Sequence, residues 1–228
     1  MKAKAILPLT IFLLSTTVAV AGTVIINNTV IYNDCVKGSG KNKTENRNLA
    51  SFNTIELNGA FLVNIVSSRE NQQFEIIGED NIIPHIVSKV RGNELKVYAD
   101  KNICPTTELV INIAAKNIKE LEVVGADDVN VSAINNENFE IELSGSGDIV
   151  LEGKTNSLDV GVSGSGDIKA QDLKARKAKV EVSGAGDVSV YASDVLEVVI
   201  NGAAEVRYYG NPTKLIQEIS GAGELEKM

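Results

Sequence analysis

From Phe52 onward the chain alternates apolar and polar residues with a period of two. Ile55, Leu57, Gly59, Phe61, Val63 and Ile65 fall on one side, and Glu56, Asn58 and Asn64 are among those opposite. Such alternation marks strands with one buried face. The same parity returns later and runs straight through glycines. Phe139, Ile141, Leu143, Gly145, Gly147, Ile149 and Leu151 form one series, and Leu158, Val160, Val162, Gly164, Gly166, Ile168 and Ala170 another. Val180 to Val190 and Leu196 to Val206 repeat it. Alternation and paired glycines exclude helices there. One helical spacing occurs, at Ile82, Ile83, Ile86, Val87 and Val90, with Asp80 or Asn81 as a cap and Pro84 in the first turn. It predicts a short helix near residues 80–90. Strands are expected to resume at Glu94 to Ala99 and Glu108 to Ala114.

The glycines belong to a repeat. Val-Gly-Ala-Asp-Asp-Val begins at Val124, Ser-Gly-Ser-Gly-Asp-Ile at Ser144 and Ser163, Ser-Gly-Ala-Gly-Asp-Val at Ser183, Asn-Gly-Ala-Ala-Glu-Val at Asn201 and Ser-Gly-Ala-Gly-Glu-Leu at Ser220. The starts lie 20, 19, 20, 18 and 19 residues apart. A unit of this length has a contour of roughly 60 Å, enough for two or three short strands around a narrow core. Each unit is too small to bury its own apolar face, so stacked parallel coils of an all-β solenoid are predicted, regular from about residue 119 to 228. A sandwich of antiparallel hairpins is the alternative. Glycine at inward sites would let the chain bend where a side chain would collide with the opposite wall or where φ must be positive.

Stacking would align Asp128, Asp148, Asp167, Asp187, Glu205 and Glu224 on the outside, about 4.8 Å apart. Carboxylates at that spacing repel by roughly 1 kcal/mol in water. Two readings follow: each Asp accepts backbone N–H bonds from its own glycine bend, or Asp128, Asp148, Asp167 and Asp187 bind Ca²⁺. The first is the expectation, so no cofactor is required. The hydroxyls of Ser144, Ser146, Ser163, Ser165 and Ser183 make a second outward row, suited to a protein or glycan contact or simply to solvent. With no tryptophan and ten Phe and Tyr together, an aromatic sugar platform is disfavoured.

Catalytic sets do not stand out. Asp127 with Asp128, or Glu140 with Glu142, could in principle act as acid and base, but similar carboxylates recur in every unit. Gly161-Val162-Ser163-Gly164-Ser165 only partly matches a nucleophile elbow. His85 is the single histidine and is expected to cap or pack the short helix. A non-enzyme is therefore expected.

At the N-terminus Lys2 and Lys4 precede an apolar run from Ala5 to Leu14, followed by Ala19-Val20-Ala21. This is the pattern of a signal peptide over residues 1–21, and the run is too short to span a membrane. Residues 22–51 read as a strand and linker, and 52–228 as the solenoid domain. Removing the signal takes the charge from 22 − 30 = −8 to 20 − 30 = −10, which argues against nucleic acid as a partner. In an exported chain the two cysteines, Cys35 and Cys104, could form a disulfide.

Asn58-Gly-Ala-Phe-Leu-Val, Asp80-Asn-Ile-Ile-Pro and the repeated Ser-Gly-Ser-Gly-Asp-Ile together resemble the family named for putative auto-transporter adhesin head domains, the GIN domain, over roughly Phe52 to Met228. The resemblance implies a right-handed β-helix-like fold, often oligomeric, at a periplasmic or surface address, and supplies no catalytic residues. Ala204 departs from the repeat by replacing its second glycine. The reading is an exported binding or scaffold protein of the bacterial envelope that contacts protein or glycan. The alternatives are a β-helix lyase or hydrolase and a self-associating structural protein.

Overall fold

The computed structural model describes residues 19–20, 23–26, 29–32, 35–67 and 72–228. The proposed signal peptide lies almost wholly outside these residues. The chain divides into two units, Met1–Cys35 and Val36–Met228. In the first, Thr23–Ile26 and Thr29–Tyr32 form an antiparallel hairpin, with Ala19–Val20 pairing the former. The second is the predicted solenoid.

Four long strands, Asp128–Leu143, Ile149–Val162, Ile168–Val182 and Val188–Ile200, each run along one wall, turn a corner and return along the opposite wall. Successive coils pair in parallel. On the first wall Val63, Val129, Ile149, Ile168, Val188, Val206 and Leu225 stack in register. On the second, Ile55, Leu121, Ile141, Val160, Val180, Val198 and Gln217 do. The register slips at the corner, between Val131 and Ile134 and at matching places in later coils, so the strands bend there. The inward residues named from alternation form a continuous apolar core from Phe52 to Val206. Repeat and parity thus lead to the observed parallel stack, and the antiparallel sandwich is excluded for the repeats.

Before the regular coils, antiparallel strands close the stack. Ile86–Arg91 pairs Glu94–Ala99 on the second wall, while Gln73–Glu79 and then Asn42–Asn46 extend the first beyond Val110–Ala115. The expected helix near 80–90 shrinks to a 3₁₀ turn at Ile83–His85. Ile82, Ile83 and Ile86 are buried as anticipated, but the residues from Ile86 onward gain a full antiparallel ladder with Glu94–Ala99, and their β-branched side chains suit it. Glu79, 1% exposed, ties this end together: its carboxylate accepts from Gly40 N at 2.6 Å, Thr106 N at 2.8 Å and Thr106 Oγ1 at 2.5 Å. These bonds, that of the Thr106 hydroxyl foremost, hold its pKa below the usual carboxylate range.

Between the walls the chain returns through the glycine motif, and there backbone lies on backbone. A Cβ on Gly145 would fall 1.7 Å from Gly125 O, on Gly164 1.9 Å from Gly145 O, and on Gly184 1.9 Å from Gly164 O. The second glycine behaves alike: on Gly166 a Cβ would sit 2.1 Å from Gly147 O. None of these four glycines has a left-handed φ. At these four the requirement is close approach between coils, in place of the expected positive φ or collision with the opposite wall; Gly221 in the last repeat does have a left-handed φ, 107°. Closeness lets the turn continue the ladder, with Ser146 N donating to Gly125 O at 3.1 Å and Ser165 N to Gly145 O at 3.0 Å. Gly166→Ala has no side chain to push aside, only the carbonyl of the coil before. We expect it to destabilise the protein by about 3 kcal/mol or more in denaturant unfolding, at the upper end of overpacking costs. A cost under about 1 kcal/mol, within the usual scatter of surface changes, would show that the coils do not stack this tightly.

Candidate binding surface

The acids at the turn form a ladder, though not within their own bends. Asp128 Oδ1 accepts from Asp148 N at 3.1 Å, Asp148 Oδ1 from Asp167 N at 3.4 Å, Asp167 Oδ1 from Asp187 N at 3.0 Å and Asp187 Oδ1 from Glu205 N at 3.2 Å. Each carboxylate caps an amide of the next coil, which corrects the expectation of a cap on its own turn. The short aspartate side chain spans one coil spacing; at Glu205 the ladder stops. Its carboxylate pairs with Arg207, and Glu224 N turns to Ala204 O at 3.0 Å. The departure at Ala204 thus coincides with a change of turn chemistry. Repulsion along the ladder is offset by Lys169, 3.9 Å from Asp148 Oδ2, and Arg207, 3.9 Å from Asp187 Oδ2. Beside the acids Ser144, Ser146, Ser163, Ser165 and Ser183 are all exposed, with Ser163 Oγ donating to Ser144 Oγ at 3.3 Å.

Asp127 and Asp128 part company. Asp128 is exposed, whereas Asp127 takes the position of the second glycine, points inward and is wholly buried. Its oxygens accept Phe61 N at 2.9 Å and Gly59 N at 3.1 Å, capping the turn of the preceding coil. Burial pushes its pKa above the ordinary aspartate range, against those two bonds. Alignment of the repeats would have found it, because Asp127 is the one acid at a glycine site. The pair cannot share a proton relay, since the two side chains face opposite sides of the wall.

Outside the second wall, register places carboxylates in two adjacent rows. One runs Glu120, Glu140, Asp159, Lys179, Glu197, and the other Glu56, Glu122, Glu142, Gly161, Glu181. Glu140 and Glu142 are thus members of a lattice. Desolvation first, then Glu140, Asp159, Glu181 and Glu122, raise the Glu142 pKa. Lys96 pairs with Glu56 at the lattice margin, and Lys179, within the first row, pairs with Glu181. Outside the first wall a side-chain ladder links Glu75, Asn112, Asn64 and Asn130, from Asn112 Nδ2 to Glu75 Oε1 at 2.8 Å through Asn130 Nδ2 to Asn64 Oδ1 at 3.4 Å. The corner carries Lys154, Lys174, Arg176 and Lys177; Lys174 lies 4.3 Å over the Tyr191 ring and Arg176 pairs Asp194 at 2.7 Å.

The remaining candidates are scattered. His85 ends the 3₁₀ turn with Nδ1 3.0 Å from Asp100 Oδ1, while Ser163 stands in the serine row. Among the described residues no group of three or more His, Cys, Asp or Glu converges to hold a metal ion, Asp128, Asp148, Asp167 and Asp187 included. No described cysteine is free, and Ile103–Cys104 pairs in parallel with Val36–Lys37. A cleft of about 230 Å³ lies between Asn46–Leu49 and Gln72–Phe74, where two of the polar side chains are committed: Arg47 donates to Ile86 O and Ser88 Oγ, and Gln72 to Leu49 O and Ala50 O. What the molecule offers is two flat outer walls and a turn edge, patterned in rows.

Residues 51–212 match the family described as "Putative auto-transporter adhesin, head GIN domain". Among solved structures, a putative adhesin from Bacteroides fragilis is similar at 22% identity and a TM-score of 0.70, over 85% of this chain and 100% of that one. A putative adhesin from Parabacteroides distasonis is similar at 19% identity and a TM-score of 0.56, over 86% and 100%. A putative lipid binding protein from the same species has 23% identity and a TM-score of 0.52, over 86% and 100%. At these identities the likeness is one of fold. No curated protein sequence matches significantly.

If the turn acids serve as amide caps, Asn keeps the acceptor and gives up the repulsion along the ladder together with the exposed, weakly stabilising pairs of Asp148 with Lys169 and Asp187 with Arg207. We predict that Asp167→Ala costs about 0.5–1.5 kcal/mol, the worth of one hydrogen bond. Joint replacement of Asp128, Asp148, Asp167 and Asp187 by Asn should leave the melting temperature unchanged or raised at low salt, with any gain fading as salt screens the charges, and a chelator should have no effect. Asn replacements as damaging as Ala would instead require the charge itself, as a bound cation does.

Proposed function

Because this chain belongs to the family described as "Putative auto-transporter adhesin, head GIN domain", we propose that it is an exported, non-enzymatic binding and scaffold protein of the bacterial envelope. It contacts a protein or glycan through the outer faces of its solenoid. The observation that carries this reading is the register: outward side chains are held in straight rows by a backbone paired from coil to coil. A rigid patterned face loses little conformational entropy when a partner docks. The names of the family and of two of the structural neighbours agree with adhesion, while the third is named a putative lipid binding protein. No described helix is long and apolar enough to cross a membrane, and export rests on the leader pattern of residues 1–21. An oxidising address is consistent with a Cys35–Cys104 bond, which we include in the proposal.

Two measurements test it together. Protein recovered from its native cells should begin at Gly22, and the purified protein should retain an envelope protein or glycan in a pull-down. Replacing acids of the second wall in pairs, Glu120 with Glu140 and Glu122 with Glu142, or disrupting the Asn64, Asn112 and Asn130 ladder, should identify the wall used. On that wall binding should weaken gradually along the rows, with each pair costing a few-fold, as peripheral contacts do. A chain retaining residues 1–21 would refute export. One substitution that abolishes turnover of a glycan while its neighbours are silent would refute the non-enzymatic reading.

A further inference from the structure

The two ends of the stack are finished differently. At the start, the outermost strands are Ile86–Arg91 and Asn42–Asn46, antiparallel to their neighbours and carrying Lys89, Arg91, Lys43 and Glu45. Short charged edges of this kind resist addition of another strand. At the finish, Lys214–Ile219 and Glu224–Lys227 end the ladder with nothing beyond them among the described residues. Leu215 and Ile219 stand in register with Leu196 and Ile200, which are fully buried, yet they are 42% and 40% exposed. Ile216 on the outer side is 40% exposed and Met228 57%. The other exposed large apolar residues, Val66, Tyr98, Val124 and Val150, belong to other coils. Among the described residues this coil leaves a cross-section of the core uncovered, beside strand edges that no described strand pairs.

The sequence of that edge is complementary to itself. If two copies of Lys214–Ile219 pair antiparallel about a two-fold axis through Ile216, Lys214 of each lies directly opposite Glu218 of the other. Ile216 then meets its own counterpart, and Leu215 lies opposite Gln217 on the inner side. Opposite charges set directly across an antiparallel pair stabilise it, and like charges there destabilise it. A head-to-tail stack lacks this match, because the charged antiparallel edges close the other end. We propose that the last coil is a homodimer interface in which a second copy of this chain, docked head to head, continues the sheet of Lys214–Ile219 across a two-fold axis. Such an isologous contact closes on itself and stops at two. This inference does not depend on the ligand-binding reading above.

Sedimentation velocity of the purified protein over a wide concentration range tests it. The expected result is a reversible rise from monomer mass to twice that mass. Ile216→Lys should hold the protein monomeric without lowering the melting temperature of the dilute sample, because the side chain points outward. Lys214→Glu should weaken the dimer about tenfold or more, two like-charge pairs replacing two opposite ones, and Lys214→Glu with Glu218→Lys should restore it. A protein monomeric at every concentration overturns the proposal. So does a dimer indifferent to Ile216→Lys, or one that the double exchange fails to restore.

Discussion

Backbone stacked on backbone at the glycine turns is the constraint from which the rest of this structure follows. A coil of about 19 residues has little interior, so its two walls meet through a turn whose first glycine site adds no side chain between layers, while the second admits Asp127 and Ala204 in two of the coils. Gly145, Gly164 and Gly184 each place their missing Cβ within 1.9 Å of a carbonyl in the coil before. With the space empty, the turn amides reach those carbonyls and the parallel ladder runs around the edge as well as along the walls. The burial of Ile141, Val160, Val180 and Val198 follows because the register cannot slip without moving every inward residue outward.

The aspartates complete the same edge. In four successive turns the amide of the acidic residue is received by the carboxylate of the preceding coil. At the margins of the array a backbone carbonyl does so instead, Phe61 O for Asp128 N and Ala204 O for Glu224 N. The recurring acid is thus a structural counterpart of the recurring glycine. It draws a stripe of negative charge on the surface as a by-product, tempered by Lys169 and Arg207. Any partner that reads this edge meets a pattern set first by folding.

Much of this was legible in the chain. Alternation through Gly145 and Gly147 marked inside and outside correctly, and the spacing of the motif implied parallel coils, because local pattern and global stacking agree at those positions. Three features escaped for physical reasons. The apolar spacing at Ile82, Ile83 and Ile86 fits a helix and a buried strand start equally well, and tertiary pairing with Glu94–Ala99 decided it. The partner of each Asp lies 18–20 residues away, beyond what turn chemistry within one motif can reveal. Asp127 looked like half of an acidic pair until the coil geometry put it in a glycine's place facing the core. The outer rows, by contrast, obey no local rule beyond polarity, and hence fold was easier to read than partner.

Native-state hydrogen exchange at single residues distinguishes glycine turns that are ladder from glycine turns that are loop. The amides of Ser146, Ser165, Ala185 and Ala203 should exchange as slowly as those of Val160 and Val180, since both sets open only when neighbouring coils part. Turn amides exchanging at the rates of an exposed loop, while the wall amides stay protected, would contradict the ladder.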